Sequence, residues 1–198
     1  MKKETRKRQL IKKAYELFIT KGYENTSVDD IIASAGIAKG TYYYHFESKE
    51  QILEEVINMM IDESVEKAKQ ILKTELKLEE KLVYIILALR VAPEEQTVED
   101  TIHKKENIIL HKKVNDRIID EAVPILSELV REAKDTGLFN LDDNIEERVR
   151  MTLILSNEMF DHKEINEKKI YVFIDTLEKI YGAKTGTLSF ITQLIKEN

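Results

Sequence analysis

Apolar residues recur three and four apart along most of this chain, and no stretch alternates with the two-residue period of a strand. Ile11, Ala14, Tyr15, Leu17 and Phe18 share one face of a first helix from about Lys3 to Thr20, stopped by Gly22. Thr26 or Ser27 can cap a second helix to Ala35, and Asp30 completes a capping-box pattern with Ser27. Gly36 ends that helix, and a third runs from near Ala38 to about His45. Ser48, with Gln51 as its reciprocal partner, caps a fourth that extends beyond Lys69.

The pattern then predicts a helix over Leu78 to Val91, stopped at Ala92-Pro93. One or two short helices follow between Glu94 and Ile109. A longer one spans Val114 to Asp135, with Gly137 as its cap and Pro124 inside it as a kink or break. Asp142, Asp143 or Asn144 opens a helix to Phe160. Asn166 opens another to Tyr181, ended by Gly182, and a last short helix covers Ser189 to Lys196. With no repeat and no low-complexity linker, the chain reads as all-α, with about nine to ten helices.

Composition narrows the class. Of 198 residues, 42% are hydrophobic and 34% charged, which suits a folded helical protein, and the absence of cysteine excludes disulfides and thiolate chemistry. The charged start lacks a signal peptide, and the most apolar stretch, Leu82 to Ala92, is too short to span a bilayer. A cytoplasmic protein without membrane contact is expected. Net charge is −6, yet residues 1–50 hold ten Lys/Arg against seven Asp/Glu while the rest hold 21 against 30. That asymmetry suits a basic binding module joined to an acidic body.

The run from Gly36 to Lys49 carries the most information. Three consecutive tyrosines, Tyr42, Tyr43 and Tyr44, and His45 follow a glycine turn, more hydrogen-bonding aromatic surface than a core needs. Helices two and three, joined at Gly36-Ile37, have the spacing of a helix-turn-helix, whose second helix enters the major groove. Ala33 and Ala35 are small enough for close crossing, and Ile31, Ile32 and Ile37 are expected to form a small core with Leu17, Phe18 and Phe46.

Arg6, Ile11, Ala14, Leu17-Phe18, Gly22-Tyr23, Thr26-Ser27-Val28, Ile31, Ala35-Gly36-Ile37-Ala38, Gly40-Thr41, Tyr43, His45-Phe46, Ser48-Lys49-Glu50 and Leu53 resemble the N-terminal pattern of the TetR (tetracycline-repressor-like) family. The resemblance covers about residues 5–55. It implies a helix-turn-helix DNA-binding domain at 1–47 and a helical ligand-binding and dimerisation domain at 48–198. By position it assigns DNA contacts to Thr26, Ser27, Lys39, Gly40, Thr41, Tyr43, Tyr44, His45 and Lys49, with Tyr42 and Phe46 in the core. Thr26 or Ser27 and Lys49 would clamp phosphates, and the others would face the groove or its backbone.

A recognition helix this short reads few base pairs, so a homodimer is expected. Its interface would be a four-helix bundle of helices 144–160 and 166–181, whose apolar positions include Ile145, Val149, Ile170, Phe173, Ile174 and Leu177. The resemblance also implies a cavity for a small-molecule effector, with Met59, Met60, Tyr84, Leu87, Arg90, His111, Asn157 and Glu158 as candidate contacts. No nucleophile–base set, phosphate loop, cofactor motif or metal-ligand spacing stands out, so neither an enzyme nor a metal site is expected. The expected function is a sequence-specific transcriptional repressor that leaves its double-stranded operator on binding the effector. An effector-independent architectural DNA-binding protein and a helical protein-interaction module are the alternatives.

Overall fold

Local capping chemistry sets the helix ends. The Ser27 hydroxyl accepts the Asp30 amide at 3.0 Å while the Asp30 carboxylate accepts the Ser27 amide at 2.8 Å, and Gly36 closes the same helix at φ 62°. The computed structural model describes residues 2–160 and 166–192, with side chains from residue 5. Their order is α1 Lys2–Lys21, α2 Val28–Ala35, α3 Lys39–His45, α4 Lys49–Leu72, α5 Leu78–Leu89, α6 Gln96–Ile102, α7 Ile108–Asp135, α8 Ile145–Phe160 and α9 Glu167–Tyr181. Single 3-10 turns at Pro93–Glu95 and Lys105–Asn107 flank α6. The described residues contain no strand, as the periodicity predicts.

The chain divides into two compact units, Met1–Ser64 with Arg90–Asp116, and Val65–Leu89 with Arg117–Asn198. The first unit holds α1 to α3, the first part of α4, and α6. Phe18, Ile31, Tyr42, Phe46, Ile52, Leu53 and Val56 form its core together with Val98 of α6. Ile32, Ile37 and Leu17 are half-buried around that core. Ala35 is buried, but Ala33 is exposed and takes no part in a helix crossing, because it faces away from α1. The Thr97 hydroxyl donates to the Phe18 carbonyl at 3.0 Å, and Tyr15 donates to Glu95 at 3.1 Å, so α6 is fastened to α1.

In the second unit α7, α8 and α9 enclose Val123, Val130, Ile145, Val149, Phe173 and Leu177, with Phe139 stacked on Tyr181 at 5.1 Å between ring centres. Ile170 and Ile174 belong to the same core. The residues expected to meet a second chain are thus largely inside this one: Ile145, Val149, Ile170, Phe173, Ile174 and Leu177 are each at most 9% exposed. Their periodicity reports burial, and burial against the same chain satisfies it equally well. Gly182 ends α9 at φ 60°, where an added Cβ would run into the Asn140 carbonyl.

Two helix expectations change. α7 begins at Ile108 rather than Val114, because Ile108 and Ile109 lie on the surface and disguise the amphipathic pattern. It also continues through Pro124 without a break; the proline stands on the exposed side, where a carbonyl deprived of its donor can meet water. The expected helix at Ser189–Lys196 is a turn over 185–190 with helical residues at 191–192, and its remainder lies outside the described residues.

Candidate nucleic-acid interface

Seven residues, Lys39–His45, make up α3, and its middle tyrosine sets its orientation. Tyr42 is fully buried, its ring edge-on to Tyr43 and 5.7 Å from Phe46, and its hydroxyl donates to the Ser48 carbonyl at 3.1 Å. One helical residue is a rotation of about 100°. Fixing Tyr42 inward therefore carries its two neighbours outward, and Tyr43 is 49% and Tyr44 66% exposed. The Tyr44 ring stands edge-on to the half-buried His45 at 5.1 Å. Thr41 is half-buried beside them.

Gly40 adds a second observation. A Cβ built there would meet nothing within 4 Å, and the residue is exposed. Glycine in a helix costs about 0.5–1 kcal/mol relative to alanine, and no close contact in this chain requires it at 40. Lys39 reaches Asp29 at 3.3 Å, with both side chains exposed. Such a pair contributes little and can exchange for a phosphate or base edge.

The flanking residues divide. Ser27 is exposed at the start of α2, engaged in the capping box. Thr26 is not available to phosphate: it is 1% exposed, and its hydroxyl donates to the Gly22 carbonyl at 2.8 Å. Threonine and serine side by side both fit a capping pattern, but only Ser27 caps. Lys49 is half-buried, donates to the Tyr23 carbonyl at 3.0 Å and lies 4.1 Å from the centre of the Tyr23 ring. Its first role is to tie the start of α4 to the turn before α2, which leaves fewer of its protons for a phosphate. Gln51 accepts from the Glu47 amide at 2.6 Å rather than from that of Ser48, while the Ser48 hydroxyl accepts the Gln51 amide at 3.2 Å.

Electrostatics around this junction favour a fixed geometry. Hydrogen bonds from its own backbone amide and from Ser48, with a further one from Tyr23, hold the Glu50 carboxyl below its usual range. Burial, and then the Glu50 charge, push the Tyr23 hydroxyl well above its ordinary value. Burial likewise pushes Tyr42 up to about 12. Of the basic residues near the N-terminus, Lys7 pairs with Glu55 at 2.7 Å and Lys13 with Glu16 at 2.6 Å. The side chains of Lys2 and Lys3 lie outside the described residues.

The expected effector contacts do not converge in either unit. Met59, Met60, Arg90 and His111 fall in the first; Tyr84, Leu87, Asn157 and Glu158 fall in the second. Met60 is buried, and the His111 ring sits 4.3 Å from that of His103 and accepts from Asn115 at 3.1 Å. Tyr84 at 49% and Leu87 at 43% are surface residues, as is Glu158. Two cavities of the second unit are lined by other residues: one by α9 and the turn over 185–192, the other by Leu78, Leu82, Leu129 and Phe139 among others. Among the described residues no group of three or more His, Cys, Asp or Glu could hold a metal, and no helix is long and apolar enough to cross a membrane.

Residues 10–56 match the family model of bacterial regulatory proteins of the tetR family. The HTH-type transcriptional repressor KstR2 of Mycolicibacterium smegmatis is 36% identical over 102 residues, 52% of this chain and 50% of that protein. The N-terminal part of the chain is similar to that of TetR-family regulators. TetR-family proteins are regulators rather than enzymes. The biofilm operon icaADBC HTH-type negative transcriptional regulator IcaR of Staphylococcus aureus is 43% identical over 56 residues, 28% of this chain and 30% of that protein. The chain spans at most about half the length of these curated relatives. A solved TetR-family transcriptional regulator from Pectobacterium atrosepticum superposes with a TM-score of 0.65 at 20% identity, over 93% of this chain and 96% of that one, and so shares the fold.

Proposed function

We propose that this chain is a homodimeric, sequence-specific DNA-binding transcriptional repressor of the TetR family, released from its operator by a small-molecule effector. One observation carries the reading. Tyr42 pins α3 from inside while Tyr43, Tyr44, Lys39 and Gly40 stand outside, the glycine at a position where no contact in this chain calls for one. In the major groove, Lys39 and Thr41 would meet base edges or phosphates, and the tyrosines and His45 would meet phosphate, sugar and thymine methyls. Ser27 and Lys49 would flank them on the backbone. Residues 1–47 serve as the reading head and 48–198 as the dimerisation and effector-binding body. The names of KstR2 and IcaR favour repression over activation.

Surface pattern supports the second chain. On α8 an exposed stripe runs Glu147, Met151, Ile154, Glu158, and on α9 another includes Lys168, Val172 and Lys179. Met151 is 61% and Ile154 52% exposed, too apolar for a helix that only faces water. Acidic ends on one stripe and basic ends on the other, at the same separation along the helix, suit α8 of one protomer lying against α9 of its partner in a two-fold bundle.

Selecting bound fragments from genomic DNA with the full chain tests the proposal. Recovery of a palindromic site, with affinity falling steeply as salt rises, supports it. Retention of every fragment alike would favour an architectural protein. No salt-sensitive retention at all would favour a protein-interaction module.

A further inference from the structure

α9 and the turn over residues 185–192 wall a cavity of about 340 Å³ in the second unit. That volume accommodates a small organic molecule. Among the described residues its lining includes no lysine or arginine and three carboxylates, Glu167, Asp175 and Glu178, of which Glu178 is buried. Glu178 is only 5% exposed, and its Oε1 accepts the Leu188 backbone amide at 2.9 Å. No cation pairs with it among the described residues. Asp175, which also lines the space, is answered by Lys179 at 2.7 Å.

A carboxylate withdrawn from water is stabilised by a counter-charge, and one backbone amide supplies only part of that compensation. The remaining walls suit a particular kind of counter-charge. Ile170 and Ile174 give the lining apolar surface, Tyr171 is 71% exposed, and the Ser189 hydroxyl, which donates to the Gly186 carbonyl at 2.8 Å, keeps its lone pairs to accept from a cation. The carboxylates of the lining do not converge on one point: among the described residues no three His, Cys, Asp or Glu are grouped to hold a metal ion. An ammonium group needs a carboxylate, a hydroxyl and an aromatic face, and its carbon chain needs aliphatic wall.

We propose that this cavity binds a small organic cation, an alkyl amine whose ammonium group pairs with Glu178 and whose chain lies over Ile170 and Ile174 against Tyr171. The site is built within the second unit and does not depend on the operator reading. Binding is therefore measured directly on the full chain without DNA.

Calorimetric titration and thermal melting with n-butylamine and 1,4-diaminobutane test it, with 1-butanol and butyrate as neutral and anionic probes of like size. The amines bind and raise the melting temperature, and the alcohol and the acid bind at least ~10-fold more weakly. Glu178→Gln keeps an acceptor for the Leu188 amide and weakens amine binding by ~10-fold or more. Tyr171→Ala, at an exposed position, keeps the fold and weakens it several-fold. No response to either amine at millimolar concentration overturns the proposal, as do equal responses to 1-butanol or butyrate. If Glu178→Gln fails to fold, Tyr171→Ala decides, and unchanged amine affinity in that variant overturns the proposal.

Discussion

Two glycines at the ends of two helices stand in opposite circumstances. At Gly182 the backbone is left-handed and an added Cβ would run into the Asn140 carbonyl, so the fold of the second unit dictates the residue. At Gly40 the helix would accept a Cβ without touching anything within 4 Å. The first glycine is explained from inside the chain and the second is not. Exposure also separates Tyr42, held by Phe46 and Ser48, from Tyr44, which is 66% exposed beside His45. A residue that the fold does not account for is the one to assign to a partner.

Substitutions can break that contrast. The largest expected effect is Gly182→Ala, which combines a forbidden φ with a backbone clash. It should destabilise the second unit by about 3 kcal/mol or more, read as a fall in melting temperature. Next, Ile154→Arg places a charge on the exposed α8 stripe. Sedimentation should show loss of the dimer with helicity retained, whereas an unchanged dimer would move the interface elsewhere. Tyr44→Ala should cost roughly 1–3 kcal/mol of operator affinity and leave the melting temperature nearly unaltered.

Tyr42→Phe should do the reverse, costing about 1 kcal/mol of stability through the lost bond to Ser48. It also predicts a pH effect. Burial raises the Tyr42 hydroxyl from 10.0 to about 12, so the folded chain holds that proton more tightly than the unfolded one. The resulting stability is complete below pH 10 and drains away as pH rises toward 12, by about 2 kcal/mol in all. Tyr42→Phe should blunt this alkaline loss, with Tyr15, Tyr23 and Tyr181, whose hydroxyls burial also pushes up, supplying what remains. Gly40→Ala should change stability in the other direction, a gain of about 0.5–1 kcal/mol, with weaker operator binding. A variant that gained stability and kept full affinity would remove the case for close approach at this position.

The reading head was visible in the sequence because its determinants are local. Ser27 and Asp30 lie three residues apart, Gly36 follows the helix it ends, and Tyr42 is set by one turn of backbone. Thr26 escaped because the direction of its hydroxyl depends on Gly22, across a turn whose path the sequence does not specify. The proposed interface residues on α8 and α9 escaped for a different reason. Helical periodicity marks which positions are buried, and it cannot say whether the covering surface belongs to the same chain. Val149 and Phe173 lie in the core of their own chain, which leaves the exposed Met151 and Ile154 as the candidates for a second chain. The cavity beside Glu178 is closed by irregular backbone over 185–192, which carries no periodic signal at all.

The alternation of roles along α3 bears on how such a protein can diverge. Tyr42 anchors the helix from inside, while the side chains at 43 and 44 stand largely in solvent. On the proposed operator reading, a duplicated gene could change its preferred site through single substitutions at these outward positions without first acquiring compensating changes in the core. Specificity and foldability are inherited through different residues, and drift in one leaves the other intact.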